Sequence, residues 1–245
     1  MADFSVIVVA AGKGERFGDA QNKIFAKIGE QPLFLMAVQL FCNREDVGET
    51  ILVVSPDDAE TVKSQYGANL GFMGVKLVEG GAERHDSVRN GLAAVSEDAK
   101  FVAVHDAVRV CVAEPWIDAI FEAARKQNCV VPTTPVTSTI KRVGDDKIVG
   151  DTVPRDGLYL AQTPQVFARP AFVDAYAQLK DDTAETITDD AQVLALAGYP
   201  VTAIDGDARN IKITTKADLA LAKALIKTLP QKSVSSRGVF EEAQW

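Results

Sequence analysis

The sequence predicts an α/β fold with a mostly parallel sheet flanked by helices, and two patterns predict it. Short β-branched apolar runs recur along the chain, nearly continuous in apolar character, as strands covered on both faces require. Amphipathic helical stretches lie between them, and strand alternating with helix implies parallel strands joined by right-handed crossovers. The length of 245 residues accommodates one large domain, and 47% apolar residues suffice for its core.

Taken in order, Ser5–Val9, Ile51–Val54, Val75–Val78, Phe101–Val104 and Cys129–Val131 read as strands. Pro32–Phe41, Asp57–Tyr66, His85–Val95 and Pro115–Lys126 read as the helices between them. The regularity breaks after Pro135. Thr137–Val143 alternates, Gly144-Asp145-Asp146-Lys147 is a turn, and Ile148–Val153 returns, which predicts a β-hairpin arm over about 136–156. A lone hairpin is marginal in water, so the arm packs either on its own domain or on a second subunit. Pro200–Ile204 reads as a later strand, and Lys216–Leu229 has helical periodicity. Residues 1–230 are expected to form one domain. Gln231–Trp245 is expected to be a loosely held tail in which Val239, Phe240 and Trp245 are able to dock.

A net charge of −8 disfavours nucleic acid and anionic membranes as partners, and no run approaches membrane-spanning length. An anionic ligand would need a local basic island. Cys42, Cys111 and Cys129 are odd in number and lack zinc spacing, which fits a reducing cytoplasm. Met1-Ala2-Asp3-Phe4 brings no basic segment ahead of its apolar run, unlike a secretory signal. His85 and His105 make no metal-ligand pattern.

The richest signal follows the first strand: Ala10-Ala11-Gly12-Lys13-Gly14-Glu15-Arg16-Phe17-Gly18. Glycines let backbone N–H groups turn toward an anion, and Lys13 and Arg16 add charge. A dinucleotide fingerprint requires G-x-G-x-x-G and an acidic residue at the end of the second strand, about 20 residues on. Here the third glycine is one position late and the second strand ends too far away, near Pro56. A phosphate-binding Walker loop requires Lys-Ser or Lys-Thr after its last glycine, whereas Asp19 follows Gly18. A nucleoside-triphosphate loop remains, against the plainer alternative of a tight strand–helix turn, which would not need Lys13, Arg16 and Lys23 clustered.

Seven segments together carry a family resemblance. They are Val8–Phe17 with Asn22-Lys23 and Ile28-Gly29; Gly80-Gly81-Ala82-Glu83-Arg84-His85-Asp86-Ser87-Val88; and Val104-His105-Asp106-Ala107-Val108-Arg109. Thr139-Ile140-Lys141-Arg142, Gln162-Thr163-Pro164-Gln165, Thr188-Asp189-Asp190-Ala191 and Asn210-Ile211-Lys212-Ile213-Thr214 complete the set. In order and spacing, from about residue 5 to about residue 225, these resemble the 2-C-methyl-D-erythritol 4-phosphate cytidylyltransferases. The chain departs from that family at Asn22 and Ile24, where Pro-Lys-Gln is usual, at Val110, where Pro is usual, and at Ala82, often Asp or Asn.

The resemblance implies a Rossmann-like sheet, a protruding arm that builds a homodimer, and Mg²⁺-dependent transfer of CMP from CTP to a polyol phosphate. It assigns Arg16, Lys23 and Lys212 to the reacting phosphates. Ala10, Ala11, Gly12, Lys13, Gly14, Gly80, Gly81, Arg84 and Ser87 would bind CTP. Asp106, Arg109, Thr139 and Arg155 would bind the acceptor, the last two from a neighbouring subunit, with orientation of Asp106 as the other reading of Arg109, and Asp106 would approach a Mg²⁺ held mainly by CTP phosphates. Each competes with a simpler role: a solvated charge for the cations, a helix cap for Ser87 and Asp106. His105 is expected to be structural, Lys141 and Arg142 to be surface or interface charges, and Asp189-Asp190 to start a helix. A ribitol-5-phosphate cytidylyltransferase and a non-enzymatic nucleotide-binding protein are the alternative functions.

Overall fold

The computed structural model describes residues 2–12, 14, 17–18, 22–179 and 187–231. The expectations for Lys13, Arg16 and the stretch 232–245 lie outside them.

The first apolar run forms β1 (Phe4–Ala10), buried along its length except at Val9. It pairs in parallel with β4 (Val47–Val54) on one side and β6 (Phe101–Asp106) on the other, and β4 pairs in parallel with β5 (Lys76–Glu79). Between β1 and β4 lie a 3₁₀ turn (Lys23–Phe25), a ribbon of β2 (Lys27–Ile28) and β3 (Gln31–Pro32), and helix α1 (Leu33–Cys42). The other crossovers are α2 (Pro56–Phe72), α3 (Arg84–Ala93) and α4 (Glu114–Gln127). Helix α2 outruns its expected end at Tyr66: Gly67 weakens the helical pattern, but the burial of Leu70 holds the added turns against the sheet.

Beyond β6 the sheet is mixed. β7 (Cys129–Pro135) pairs in parallel with β12 (Thr202–Asp205). Its other edge takes two short antiparallel strands in line, β10 (Tyr159–Ala161) and β11 (Gln165–Ala168), and β11 also bonds β6. Neither β10 nor β11 was expected from the sequence, because three or four residues around Gln162-Thr163-Pro164 are too few to show a period. Two helices follow: α5 (Arg169–Gln178), which was not expected, and α6 (Asp190–Leu196), which begins where Asp189-Asp190 was expected to start a helix. The last expected helix is α7 (Lys216–Leu225), ending in a 3₁₀ turn at Ile226–Thr228.

Helices cover both faces of the sheet, which explains the continuous apolar strands. Val6, Val8, Leu52 and Val54 meet α1, α2 and α4 on one face. Ile7, Ile51, Val53 and Val104 meet α3, α5 and α6 on the other. The hairpin is present as β8 (Ile140–Val143) and β9 (Val149–Val153), a separate two-stranded ribbon that starts later than Thr137. Its Val143, Ile148 and Val149 are exposed, so these side chains do not pack on their own domain.

Helix α3 lies so close to the sheet that a Cβ at Gly91 would stand 2.8 Å from Ile7 Cγ2 and 3.0 Å from Val53 Cγ2. Gly91→Ala gains about 1 kcal/mol of helix propensity but overpacks two rigid β-branched side chains at about 1–3 kcal/mol. The expected net outcome is destabilisation, read as a lower urea midpoint.

Candidate active site

The carboxyl ends of β1, β5 and β6 open onto a cavity of about 570 Å³. In open parallel sheets this edge is where ligands gather. Ala10, Ala11, Gly12 and Gly14 form one wall, Arg84 and Ser87 of α3 another, and Lys23, Asp106 and Lys212 complete it. Lys23 therefore shares one cavity with Lys212.

Gly80 and Gly81 shape the wall rather than line it. Gly80 N–H donates to Val54 O at 2.7 Å, and a Cβ at Gly80 would lie 2.6 Å from Ser87 Oγ and 2.7 Å from Ala11 Cβ. The buried Ser87 hydroxyl accepts from Gly81 N at 3.2 Å and donates to Glu83 O at 3.1 Å. Ser87 is thus not a helix cap: it sits inside α3 and ties the glycine turn to the helix.

At the centre stands Asp106, its side chain 9% exposed. Lys212 Nζ lies 2.9 Å from Oδ2, Arg109 Nε 3.4 Å from the same oxygen, and Arg84 Nε 3.5 Å from Oδ1. Burial alone would raise the Asp106 carboxyl, but Arg84, Lys212 and Arg109 overcome it and hold the group well below the usual carboxylate range. Asp106 is not a helix cap either, since α4 begins only at Glu114. Arg109 is engaged by protein on every side: besides Asp106, it donates to Asn210 O at 2.8 Å and Ala161 O at 3.3 Å. Its geometry orients Asp106 and binds two segments together.

His105 fixes this turn from below. Nε2 faces the Arg109 carbonyl at 2.9 Å, which can only accept, so Nε2 carries the ring proton and donates to it. In the neutral ring Nδ1 then accepts from the Thr163 hydroxyl at 3.1 Å, whose oxygen accepts from Asp106 N–H, also at 3.1 Å. Burial lowers the imidazole to about 4, against the pull of Asp106, and keeps it neutral.

Lys212 is on no regular strand or helix. It lies instead in an irregular extended segment, held by Ile213, which is fully buried and donates its N–H to Val108 O at 3.0 Å. Asn210 Nδ2 donates to Thr163 O at 2.9 Å, and Gln162 Nε2 to Asp207 O at 2.8 Å. The Thr163–Pro164 peptide is cis. The Gln162-Thr163 segment is therefore the buried polar clamp that brings the end of the domain back to β6, a role the sequence reading did not assign.

Asp189-Asp190 starts helix α6 as expected, and Asp190 has a further structural role. Asp189 is the cap of α6, accepting from Gln192 N at 3.0 Å. Asp190 is fully buried, 2.8 Å from Arg84 Nη2, and accepts from Tyr176 Oη at 2.8 Å. Burial opposes the charge on Arg84, but Asp190 and Asp106 together raise its pKa above the ordinary value. Arg84 Nη1 has no hydrogen-bond partner among the described residues, a buried donor at the wall of the cavity.

Two predicted site residues are not brought to the cavity within one chain. Thr139 precedes β8, and Arg155, beyond β9, donates to Thr137 O at the base of the arm. Among the described residues no three His, Cys, Asp or Glu side chains cluster as a metal cage. Asp106 and Glu83 are the carboxylates in the cavity lining, which suits an ion held chiefly by ligand oxygens.

A glycine turn and converging cations at the carboxyl edge of a parallel sheet suit an anionic ligand such as a phosphate, and the comparisons make the class a nucleotidyltransferase. Residues 4–228 match the family model of 2-C-methyl-D-erythritol 4-phosphate cytidylyltransferase. The chain is 40% identical to the enzyme of that name from Alkaliphilus oremlandii, covering 91% of this chain and 95% of the relative. It is 36% identical to that from Rhodopirellula baltica, covering 92% and 95%. The solved structure of the Francisella tularensis enzyme superimposes with a TM-score of 0.76 at 26% identity, covering 91% of this chain and 99% of the other. The chain belongs to the 2-C-methyl-D-erythritol 4-phosphate cytidylyltransferase family.

Two measurements check this architecture. Asp190→Asn leaves Arg84 partly uncompensated in a buried site and is expected to cost about 3–5 kcal/mol in urea unfolding. Asp218, in the first turn of α7, has its carboxyl lowered from 3.8 to about 2, first by the Thr214 hydroxyl and then by backbone N–H groups of Thr214 and Thr215. A lowered folded-state pKa contributes stability that is present above 3.8 and fades as pH falls toward about 2. The stability difference between wild type and Asp218→Asn should shrink across that interval.

Proposed function

We propose that the chain transfers CMP from CTP to 2-C-methyl-D-erythritol 4-phosphate in the non-mevalonate route to isoprenoids, giving 4-diphosphocytidyl-2-C-methyl-D-erythritol and pyrophosphate. Family membership supports the reaction, and one observation supports the site: Lys23 and Lys212, from opposite ends of the domain, line one cavity beside the glycine turn. An oxygen of the acceptor phosphate attacks the α-phosphorus in line. The new O–P bond forms as the bond to the bridging oxygen breaks, and pyrophosphate leaves with that electron pair. The nucleophile is already an anion, so the protein has no proton to remove. Its work is to position two polyanions and neutralise the charge that grows on the α-phosphate.

Lys23 and Lys212 supply that charge, with Arg16 assigned beside them by the family resemblance. The 80–87 turn with Arg84 and Ser87 forms the base end of the pocket, and Asp106, held by its cations, presents an acceptor to substrate hydroxyls. Asp106 would be the protein carboxylate toward a Mg²⁺ held by the triphosphate oxygens, and the ion would offset phosphate charge. The exposed arm is the homodimer element, and it delivers Thr139 and Arg155 to the acceptor phosphate of a neighbouring subunit. Three unpaired cysteines support a reducing, cytoplasmic setting, and no described helix is long and apolar enough to cross a membrane.

Pyrophosphate release, measured with each NTP in turn and with methylerythritol phosphate or ribitol 5-phosphate, is expected only with CTP and the first acceptor. Lys23→Ala and Lys212→Ala should each lower kcat about 10²-fold or more while folding normally; normal turnover in either variant removes that residue from the chemistry. Mixing Arg155→Ala with Lys23→Ala chains should restore part of the activity, and no recovery despite proven subunit exchange places each site within one chain.

A further inference from the structure

The segment that carries Lys23 is fastened by a neighbouring side chain that none of the roles above uses. Asn22 Nδ2 donates to Gly12 O at 2.8 Å and to Asp58 Oδ2 at 2.8 Å, and Asn22 Oδ1 accepts from Ile24 N at 3.3 Å. Asp58 is itself locked in the first turn of α2: its N–H donates to Ser55 Oγ at 3.2 Å, and the Ser55 hydroxyl donates to Asp58 Oδ2 at 2.6 Å. One amide therefore ties three pieces of chain: the start of the glycine turn, the 3₁₀ turn bearing Lys23, and the amino end of the helix after β4.

Gly14 completes the contact. Its φ of +72° is one that side chains rarely adopt, and a Cβ there would stand 3.2 Å from Asn22 Oδ1 and 3.3 Å from both Lys23 Cγ and Lys23 N. Gly14 is seated directly against Asn22 and Lys23. Gly12, Gly14 and Lys23 all line the cavity, so a shift of this joint moves the backbone wall and the lysine together.

We propose that Asn22, acting with Asp58, is a positioning residue for CMP transfer: its side chain sets where Lys23 enters the cavity relative to the glycine turn. The inference rests on Lys23 acting in the reaction. Asn22 itself need touch no substrate; its effect passes through its neighbour, and a displacement of about 1 Å at a charged group costs up to about 10²-fold in rate. The Asn22 amide is a donor to two acceptors, so a carboxylate at position 22 would face the Asp58 carboxylate and the Gly12 carbonyl with no proton between them.

The test is a series of kinetic variants with unfolding measured on each. Asn22→Asp should lower kcat about 10-fold or more while the thermal midpoint stays near that of wild type. Adding Asp58→Asn reverses donor and acceptor and should recover part of the lost kcat. In a Lys23→Ala background, Asn22→Asp should bring no comparable further loss, because its route to the chemistry is gone. Asn22→Ala, which removes the bonds without adding charge, carries the same comparisons should the aspartate variant fold poorly. Wild-type kcat in both Asn22 variants overturns the proposal, as does an equal loss in the wild-type and Lys23→Ala backgrounds. Full turnover of Lys23→Ala alone overturns the catalytic reading of Lys23 and this inference with it, whereas a crippled Lys23→Ala beside unaffected Asn22 variants overturns the inference alone.

Discussion

The buried carboxylate of Asp106 is the constraint around which the rest of this structure is arranged. A lone ionised carboxylate at such a position costs several kcal/mol, and here three cations compensate it: Arg84 from the start of α3, Arg109 from the turn after β6, and Lys212 from near the end of the domain. Each side chain needs the others. Without Asp106 the cations would repel one another across a half-buried cavity; without the cations Asp106 would take up a proton. Convergence of distant segments is thus enforced by electrostatics at the one place where the chain must present positive charge.

The scaffold makes that convergence repeatable. Parallel pairing of β5, β4, β1 and β6 puts their carboxyl ends on one edge, so turns far apart in sequence open side by side. The distant contribution, Lys212, needs more, because it sits on no strand. Its place is set by the buried Ile213 and by the polar clamp of Thr163, Gln162 and Asn210, which shares His105 and Arg109 with the turn that carries Asp106. Buried polar networks of this kind are costly when half satisfied and rigid when satisfied. This one links the turn that carries Asp106 to the segment that carries Lys212 through side chains outside the cavity lining.

Much of this was legible in the sequence, and the exceptions follow a physical rule. The strands of the parallel core announce themselves because burial on both faces demands continuous apolar runs, and the helices between them because one stripe must face that core. The glycine turn and the cations were visible as residue types that fit an anion. Hidden were features that depend on pairing across the fold. β10 and β11 have no period to read, and their pairing with β7 is decided by the chain on either side. Asp190 resembles the helix cap next to it, and only tertiary packing distinguishes the exposed cap of Asp189 from the ion pair of Asp190 with Arg84. Arg109 left open by its type whether it binds a phosphate or orients Asp106, and only the fold, which surrounds it with Asp106 and two backbone carbonyls, favours the second. The role of Asn22 could not be inferred from its neighbours in sequence either, since Asp58 and Gly12 reach it only after the first crossover has formed.

The same electrostatics explains how an acidic protein of net charge −8 handles polyanions. Lys23, Arg84 and Lys212 line the cavity with Arg109 close behind, and the carboxylates of Asp106, Asp190 and Glu83 offset only part of that charge. The three cations on Asp106 are not equivalent. Arg109 and Arg84 are 12% and 22% exposed, and both have further protein partners. Lys212 is 39% exposed and meets Asp106 at the mouth of the cluster. Transfer of a cation from one anion to another costs least where it is already hydrated, because little desolvation has to be repeated. Lys212 is therefore the member able to exchange carboxylate for phosphate while the two arginines keep Asp106 ionised and in place. A site built this way is stable without an anionic ligand because the carboxylate occupies the cations, and its hold is weakest at the exposed Lys212.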